Sequence, residues 1–383
     1  MYLVYLCRLL MLPIQMVDLQ TQYTRLKSDI DTAIGNVLQS GAFIKGPEVK
    51  SFERDLAQFT GAKHAIGCAN GTDALQIAFM ALQAAPGSEV ITPSFSYAAL
   101  AEVLHLLGLK PVFCEVHEDS YLMDASKIES LITDKTIAIS PVHLYGQCCD
   151  MEAILAIGQK HKLYVIEDTA QAIGAVYTFS NGTSQQAGTM GHIGTTSFFP
   201  SKNLGCYGDG GAVFSNDGVL AERMGMVANH GQKVKYLHEI VGINSRLDTL
   251  QAAILQVKLP HLRDFEARRN HCAGVYDSEL GQIPGIQVPK RVANSTHVFH
   301  QYTIKLQSHE QREALKAYLS EKKVPCMIYY PTPLHQQQAY AQNLHMELTE
   351  NLCKQVLSLP IHTEMEEEQL HYICSTIQEF FKA

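Results

Sequence analysis

Short apolar runs alternate with helical patterns between residues 60 and 215. The runs that predict buried strands are KHAIGCA, EVITPSF, KPVFCEV, KTIAISPVHLYG, LYVIED, HIGTTSFF and GAVFSND. Helical periodicity lies between them in TDALQIAFMALQA, YAALAEVLHLLG and MEAILAIGQKHK. This alternation predicts an α/β fold with a mostly parallel sheet flanked by helices on both faces. Ligands of such sheets gather at the carboxyl ends of the strands.

A different pattern begins at Arg246. The stretch from there to Leu280 is amphipathic with a helical period, and Pro260 predicts a bend because proline removes a backbone donor. Beyond it, the sequence predicts a strand in HVFHQYTIKL and helices in HEQREALKAYLSEKKV and EMEEEQLHYICSTIQEFFK. We therefore expect three parts: an N-terminal extension at 1–16, a large domain at 17–260 and a smaller C-terminal α+β domain at 261–383.

The composition is that of a packed enzyme or binding protein. Of the 383 residues, 46% are hydrophobic and 18% charged, and the formal net charge is −8. Without a basic excess, counterion release does not favour nucleic acid as a partner. The ten cysteines show no CxxC spacing, which favours reduced thiols in the cytoplasm over disulfides or a metal site. The apolar N-terminal segment is interrupted by Arg8 and Pro13 and is shorter than the roughly 20 residues of a membrane span.

Two common nucleotide motifs are absent. The sequence contains no GxxxxGK[ST], and no GxGxxG follows the first predicted strands. A nicotinamide-dependent oxidoreductase is therefore disfavoured. Asn70-Gly71-Thr72-Asp73 stands instead between a strand and a helix, where backbone amides and the Thr72 hydroxyl suit a phosphate. An ordinary helix cap is the alternative.

Two further segments carry chemistry. LYVIEDTAQA places Glu167 and Asp168 at the end of an apolar strand, with Gln171 three residues later. SFFPSKNLGCYGDGGAVF places Lys202 between two buried-looking strands, where burial depresses the pKa of a lysine and makes its amine a nucleophile. The alternatives are a strand-end cap for the carboxylates and a solvated surface charge for the lysine.

Together these segments meet the requirements of pyridoxal phosphate. That cofactor needs a lysine for a Schiff base, a carboxylate for its pyridinium nitrogen and a helix N-terminus for its phosphate. Tyr97, after another strand, can stack on the ring, although a core aromatic is the alternative for it.

The sequence resembles the DegT/DnrJ/EryC1/StrS sugar aminotransferases, which are fold-type I pyridoxal phosphate enzymes. The resemblance runs from about Val17 to the C-terminus. It is carried by FIKGPEVKSFE, NGTDALQIA, ITPSFSYAA, PVHLYGQCCD, VIEDTAQAIGA, SFFPSKNLGCYGDGGA, NHG, GINSRLDTLQAAIL and YYPTPLH.

The resemblance implies a role for each cofactor residue. Lys202 matches the Schiff-base lysine and Asp168 the pyridinium partner. Gln171 matches the residue near the ring hydroxyl, and Tyr97 the stacking aromatic. The residues that match the phosphate binders are Gly71, Thr72 and Ser197.

The resemblance also implies partners. Asn244 matches a phosphate contact that the family supplies from a second subunit, which implies a homodimer with shared active sites. Arg246, Tyr329 and Tyr330 fall where the family contacts its sugar nucleotide, with a surface ion pair as the alternative for Arg246. The implied reaction moves an amino group from glutamate to a nucleotide keto sugar.

The motifs are especially similar to enzymes that aminate UDP-2-acetamido-2-deoxy-3-oxo-glucuronate for bacterial lipopolysaccharide. One departure is Tyr329-Tyr330-Pro331, where that branch carries His-Tyr-Pro. The alternatives are a different UDP- or dTDP-linked keto sugar, another pyridoxal phosphate reaction such as a desulfurase or lyase, and a non-catalytic sugar-nucleotide sensor.

Overall fold

The computed structural model describes residues 13–382, so most of the expected extension at 1–16 lies outside the described residues. The strands, in chain order, are β1 (His64–Cys68), β2 (Glu89–Pro93), β3 (Lys110–Cys114), β4 (Thr136–Ile139), β5 (Tyr164–Asp168), β6 (Val176–Thr178), β7 (Ser184–Gln186), β8 (Ile193–Ser197), β9 (Gly211–Ser215), β10 (Gln232–Val234), β11 (Leu237–His238), β12 (Ile286–Gln287), β13 (Tyr302–Leu306) and β14 (Val356–Leu359).

The helices surround these strands. They are α1 (Leu19–Ser40), α2 (Pro47–Thr60), α3 (Gly71–Ala81), α4 (Ala99–Leu106), α5 (Ala125–Ile128), α6 (Met151–His161), α7 (Gly218–Val227), α8 (Thr249–Lys258), α9 (Leu262–Leu280), α10 (His309–Glu321), α11 (Glu347–Gln355) and α12 (Glu367–Lys382). Within residues 13–382, no helix combines the length and apolar character that a bilayer crossing needs.

The central sheet has seven strands in the order β1-β9-β8-β5-β4-β2-β3. Neighbours from β8 to β3 pair parallel, whereas β9 runs antiparallel to both β8 and β1. The predicted mostly parallel sheet is thus confirmed, with β9 as its one reversed strand. The carboxyl ends of the other six strands share one edge of the sheet.

Both faces of the central sheet are apolar and covered. Consecutive residues of a strand point to opposite faces, and Val90 and Ile91 accordingly belong to different apolar clusters. One face carries α3, α4 and α7. The other carries α6 at one end and α1, α2 and α8 at the other.

The predicted bend at Pro260 is confirmed. Helix α8 ends at Lys258, a single 3₁₀ turn covers Leu259–His261, and α9 follows. The first turn of α9 packs with α1 and α2, and its later turns pack against the antiparallel sheet β12-β13-β14 together with α10 and α12. The division of the chain at residue 260 stays a prediction.

The strand predicted in HVFHQYTIKL is longer than the one observed. Strand β13 begins at Tyr302, and His297 instead forms an isolated antiparallel bridge with Gln147. Phe299 has a φ of 46°, which no strand residue adopts. The side chains before Tyr302 therefore leave the strand path, and His300 reaches the central cavity.

Candidate active site

A cavity of about 630 Å³ lies at the edge where the parallel strands end. The residues that line it come from the segments after β1, β2, β5 and β8 and from two loops of the C-terminal part. The predicted site residues among them are Gly71, Thr72, Tyr97, Asp168, Gln171, Ser197, Lys202, Tyr329 and Tyr330. Asn244 and Arg246 lie elsewhere.

The N-terminus of α3 forms one wall of this cavity. Asn70 caps the helix, since its side-chain oxygen accepts from the amide of Asp73 at 2.8 Å. Thr72 is therefore not needed as a cap. A Cβ atom on Gly71 would lie 2.7 Å from the Cβ of Ser197, so glycine lets the helix end approach the end of β8. The first amides of a helix lack intrahelical partners, and here they face the cavity beside two hydroxyl side chains.

Asp168 and Glu167 point to opposite sides of β5. Glu167 is buried, accepts from the amides of Gly188, Met190 and Gly191 at 2.8, 2.8 and 2.6 Å, and contacts the Nε2 of His143 at 2.9 Å. It is bound entirely within the fold. Asp168 lines the cavity, where its carboxylate accepts from the Ala170 amide at 3.0 Å.

Burial raises the pKa of the Asp168 carboxyl, although the Ala170 amide and the charges of Lys202 and His143 oppose that shift. The site thus holds a carboxylate whose charge is incompletely compensated. A cation placed beside it lowers the pKa again and keeps it ionised. A protonated pyridine nitrogen is such a cation.

Lys202 lies in a loop of residues 198–210, called the lysine loop below, which joins β8 to β9. Its backbone amide donates to the carbonyl of Phe199 at 2.8 Å, and its side chain lines the cavity. Burial lowers the pKa of Lys202 to about 8, against the opposing charge of Asp168. About a tenth of the amine is therefore neutral and nucleophilic at pH 7, far more than for an ordinary lysine with a pKa near 10.4.

Aromatic side chains line the opposite wall. The side chain of Gln171 donates to the hydroxyl of Tyr330 at 3.0 Å and accepts from the amide of Tyr145 at 2.7 Å. Tyr97 is 62% exposed and its ring centre lies 6.3 Å from that of Tyr330, so it is a cavity residue and not a core aromatic. The hydroxyl of Tyr145 donates to the carbonyl of Tyr329. This network fixes the tyrosine pair against the sheet.

Arg246 and Asn244 lie outside the cavity of their own chain. Asn244 is exposed. Arg246 lines a separate recess of about 250 Å³ that also contains Lys45 and Glu53. The ion pair considered for Arg246 is not formed with any residue of 13–382.

Sequence reasoning missed His300, which is 5% exposed and lines the same cavity. Burial lowers its pKa well below the usual value, and the charge of Lys202 adds to that effect. The pattern of HVFHQYTIKL predicts a strand, and this prediction gives no indication that His300 lines a cavity. The signal in the sequence for a functional residue here was the pair His297 and His300, three residues apart in this run.

The donor set fits pyridoxal phosphate and not a metal ion. Among the described residues, no three or more His, Cys, Asp and Glu side chains are grouped to hold a metal. The buried amine, the uncompensated carboxylate and the helix N-terminus face one cavity, as the cofactor requires. Fold and cavity thus define a fold-type I pyridoxal phosphate enzyme.

Residues 24–378 match the profile of the DegT/DnrJ/EryC1/StrS aminotransferase family, and the chain belongs to that family. It is a pyridoxal phosphate-dependent aminotransferase of nucleotide-linked sugars, as the resemblance implied.

Similar proteins cover nearly the whole chain. It is 46% identical to the pleiotropic regulatory protein of Geobacillus stearothermophilus, over 96% of this chain and 99% of that one. It is 45% identical to the UDP-2-acetamido-2-deoxy-3-oxo-D-glucuronate aminotransferase of Pseudomonas aeruginosa, over 95% and 99%. Among solved structures, DesV of S. venezuelae in complex with ketimine intermediate superposes with a TM-score of 0.93 at 38% identity, over 97% and 100%.

Proposed function

We propose that the protein transfers the amino group of glutamate to UDP-2-acetamido-2-deoxy-3-oxo-glucuronate, for bacterial surface polysaccharide. The observation that carries the reaction type is that Lys202 and Asp168 line one cavity with the N-terminus of α3. The choice of sugar is supported by the 45% identity to the Pseudomonas aeruginosa aminotransferase.

The cofactor would be held at three points. Lys202 would hold its aldehyde carbon, Asp168 its ring nitrogen, and Gly71, Thr72 and Ser197 its phosphate. Gln171 would lie near the ring hydroxyl and Tyr97 over the ring face. When bound, pyridoxal phosphate accepts the amino group of one substrate, hands it to the other and withdraws electrons while the C–H bond breaks.

Lys202 moves the proton in both half-reactions. Its neutral amine would take the proton from the Cα atom of glutamate, and the resulting ammonium would return it to the exocyclic carbon of the cofactor, on the other side of the transferred nitrogen. The lowered pKa of about 8 suits this exchange, because both forms of the amine are accessible near neutral pH. Asp168 would stabilise a positive charge on the ring nitrogen of the bound cofactor throughout. 2-Oxoglutarate leaves after the first half-reaction, and the keto sugar receives the nitrogen in the second.

We further propose a cytoplasmic homodimer in which Asn244 and Arg246 complete the site of the partner subunit. Their position outside their own cavity supports this arrangement. The Arg246 guanidinium has no ion-pair partner within residues 13–382, and its planar fork suits a carboxylate or a diphosphate. The nine described cysteines that lie within 13–382 are free, as expected in a reducing compartment.

The substrate is tested by offering the glutamate-treated enzyme three keto sugars and weighing the products. The first is the UDP-linked 3-oxo-glucuronate, the second its analogue with a 6-hydroxymethyl group, and the third a dTDP-linked 3-keto sugar. We expect the highest kcat/KM for the first. Equal rates for the first two would remove the uronate from the proposal, and binding of all three without amine transfer would show a sensor instead of an enzyme.

The shared site is tested by mixing an inactive variant with one that is impaired toward the keto sugar. In a mixed dimer of Lys202→Ala and Arg246→Ala chains, one of the two sites keeps both wild-type residues if they come from different subunits. Co-expression then restores sites with the wild-type kcat/KM for the keto sugar, which neither variant has alone. If both residues serve the same chain, no mixture regains that kcat/KM.

A further inference from the structure

Helix α8 holds the lysine loop at two places. The Gln251 side chain accepts from the amide of Tyr207 at 2.8 Å and donates to the carbonyl of the same residue at 3.2 Å. Lys258 donates from its Nζ atom to the carbonyl of Gly205 at 2.8 Å. Because these two side chains are seven residues apart, they lie on one face of the helix. That face is directed at the lysine loop.

Lys258 is an unusual residue for a protein interior. Its side chain is 1% exposed and forms no ion pair within residues 13–382. Besides Gly205, its ammonium contacts the ring of Tyr207, 4.2 Å from the ring centre. Burial lowers the pKa of Lys258 to about 8. Since burying an unpaired charge costs free energy, stability alone would favour an apolar side chain at this position.

The contact with Gly205 constrains both sides of Lys202. A Cβ atom on Gly205 would lie 2.3 Å from the carbonyl oxygen of Pro200, so the two backbone segments are in direct contact. The next residue, Cys206, donates its amide to the carbonyl of Phe198 at 2.8 Å. The lysine loop is therefore closed on itself around Lys202. Whatever fixes Gly205 also fixes the residues before and after the reactive amine.

We propose that Lys258 is a positioning residue: it anchors Gly205 and Tyr207 to α8 and thereby holds the Lys202 amine in the cavity beside Asp168. It acts through the backbone of the lysine loop and does not touch the substrates. The inference rests on the role proposed above for Lys202.

The test compares three full-length variants, Lys258→Met, Lys258→Arg and Leu255→Ala, as cofactor-loaded enzymes. Methionine keeps the unbranched shape and most of the length of the side chain and removes both the charge and the hydrogen bond. Arginine keeps a charged donor. Leu255 is buried on the same helix and makes an apolar contact, so its loss weakens packing without touching Gly205. Thermal unfolding, turnover and the pH midpoint of the absorbance of the bound cofactor are measured for each.

We expect Lys258→Met to unfold at or above the temperature of the wild type, because a buried unpaired charge is gone. Its turnover should fall roughly 10- to 100-fold, since a small misplacement of a reacting group has effects of that size. The absorbance midpoint should move by at least about half a pH unit, a threefold change in proton affinity. Lys258→Arg should recover part of the lost turnover and reverse part of the midpoint shift. Leu255→Ala should unfold at lower temperature with its midpoint unchanged.

Two outcomes would overturn the inference. One is wild-type turnover and midpoint in Lys258→Met, and the other is an equal midpoint shift in Leu255→Ala, which would indicate general loosening. Borohydride reduction of the wild type, followed by peptide mass spectrometry, keeps this result separate from the proposed function. If the cofactor is not attached to Lys202, the proposed function fails first.

Discussion

The two walls of the cavity are built differently. The wall assigned to the cofactor consists of the ends of β5 and β8, the N-terminus of α3 and the lysine loop between two sheet strands. The wall assigned to the sugar consists of the Tyr329-Tyr330 pair, with Arg246 outside its own cavity. The first wall, to which the proposed function assigns the reaction, is fixed by the sheet, whereas the second consists of loops, which can vary with the substrate while the chemistry stays the same.

The largest effect should follow from Lys202→Ala on the first wall. Because it removes both the covalent attachment and the proton transfer, turnover should fall at least roughly 10⁴-fold in either half-reaction. Single-turnover absorbance with glutamate, and then with the keto sugar, measures each step. Lys160→Ala, at an exposed lysine paired with Glu129, is the control and should keep full activity. An active Lys202→Ala enzyme would refute the assignment of this wall.

The neighbouring carboxylates of β5 should separate chemistry from folding. Asp168→Asn should lower both half-reactions roughly 10²- to 10³-fold, as removal of a charge-stabilising group does. It should not lower thermal stability, because the native carboxylate is itself buried at a cost. Glu167→Gln leaves backbone amides without their acceptor and should cost about 1–3 kcal/mol of folding free energy. Equal stability losses in both variants would contradict the division of roles.

Arg246→Ala should affect the second wall alone. We expect kcat/KM for the keto sugar to fall roughly 10- to 100-fold, the size of a hydrogen bond to a charged group. The glutamate half-reaction should stay at the wild-type rate. If Arg246 contacts the uronate carboxylate, its loss should also reduce the preference over the 6-hydroxymethyl analogue. If Arg246→Ala slowed both half-reactions equally, Arg246 would have to be assigned to the cofactor wall.

Tyr330→Phe should have a smaller effect on the same wall. It removes the hydroxyl that accepts from Gln171 at 3.0 Å and keeps the ring packed against Phe95. A neutral hydrogen bond contributes about 0.5–1.5 kcal/mol, so kcat/KM for the sugar should fall roughly 2- to 10-fold. Steady-state kinetics with both substrates measure it. Tyr318→Phe, in α10, provides a matched tyrosine outside the cavity and should behave as wild type.

The smallest effect concerns the pKa of Lys202 in the cofactor-free protein. Labelling of its amine should increase as the pH rises through about 8, because the neutral form reacts. The negative charge of Asp168 raises this pKa, so Asp168→Asn should move the labelling midpoint to lower pH. Quantitative mass spectrometry of the peptide that contains Lys202 measures the midpoint. A midpoint that does not move would show that the two side chains are not neighbours in solution.

The same difference between the walls explains what the sequence could predict. The cofactor wall could be predicted from local patterns. Once the sheet is known to be parallel, an apolar strand that ends in Glu167-Asp168 and a glycine-rich loop around Lys202 are both expected at the edge where the strands end. The apolar pattern did not distinguish Glu167 from Asp168, because their orientation depends on the amides at 188–191, which fold back onto β5. Once Glu167 is held on one side of β5, the alternation of side chains along the strand directs Asp168 to the other side.

The sugar wall could not be predicted in this way. Tyr330 reaches the cavity through its contact with Gln171, 159 residues earlier, and His300 reaches it because the chain leaves the strand path at Phe299. Such contacts between distant segments leave no periodic signal in the chain. The resemblance to a family identified Arg246 and Asn244, but their distance from their own cavity became visible with the fold.

The reversed direction of β9 has a consequence for how ligands enter and leave the cavity. Since β8 and β9 are hydrogen-bonded neighbours, both ends of the lysine loop are held in the central sheet. Exposed aromatic rings border the cavity at Tyr97 and, on the lysine loop itself, at Phe199. Because the ends of the loop are held in the sheet, we expect the ring of Tyr97, and not that of Phe199, to move aside as ligands enter and leave.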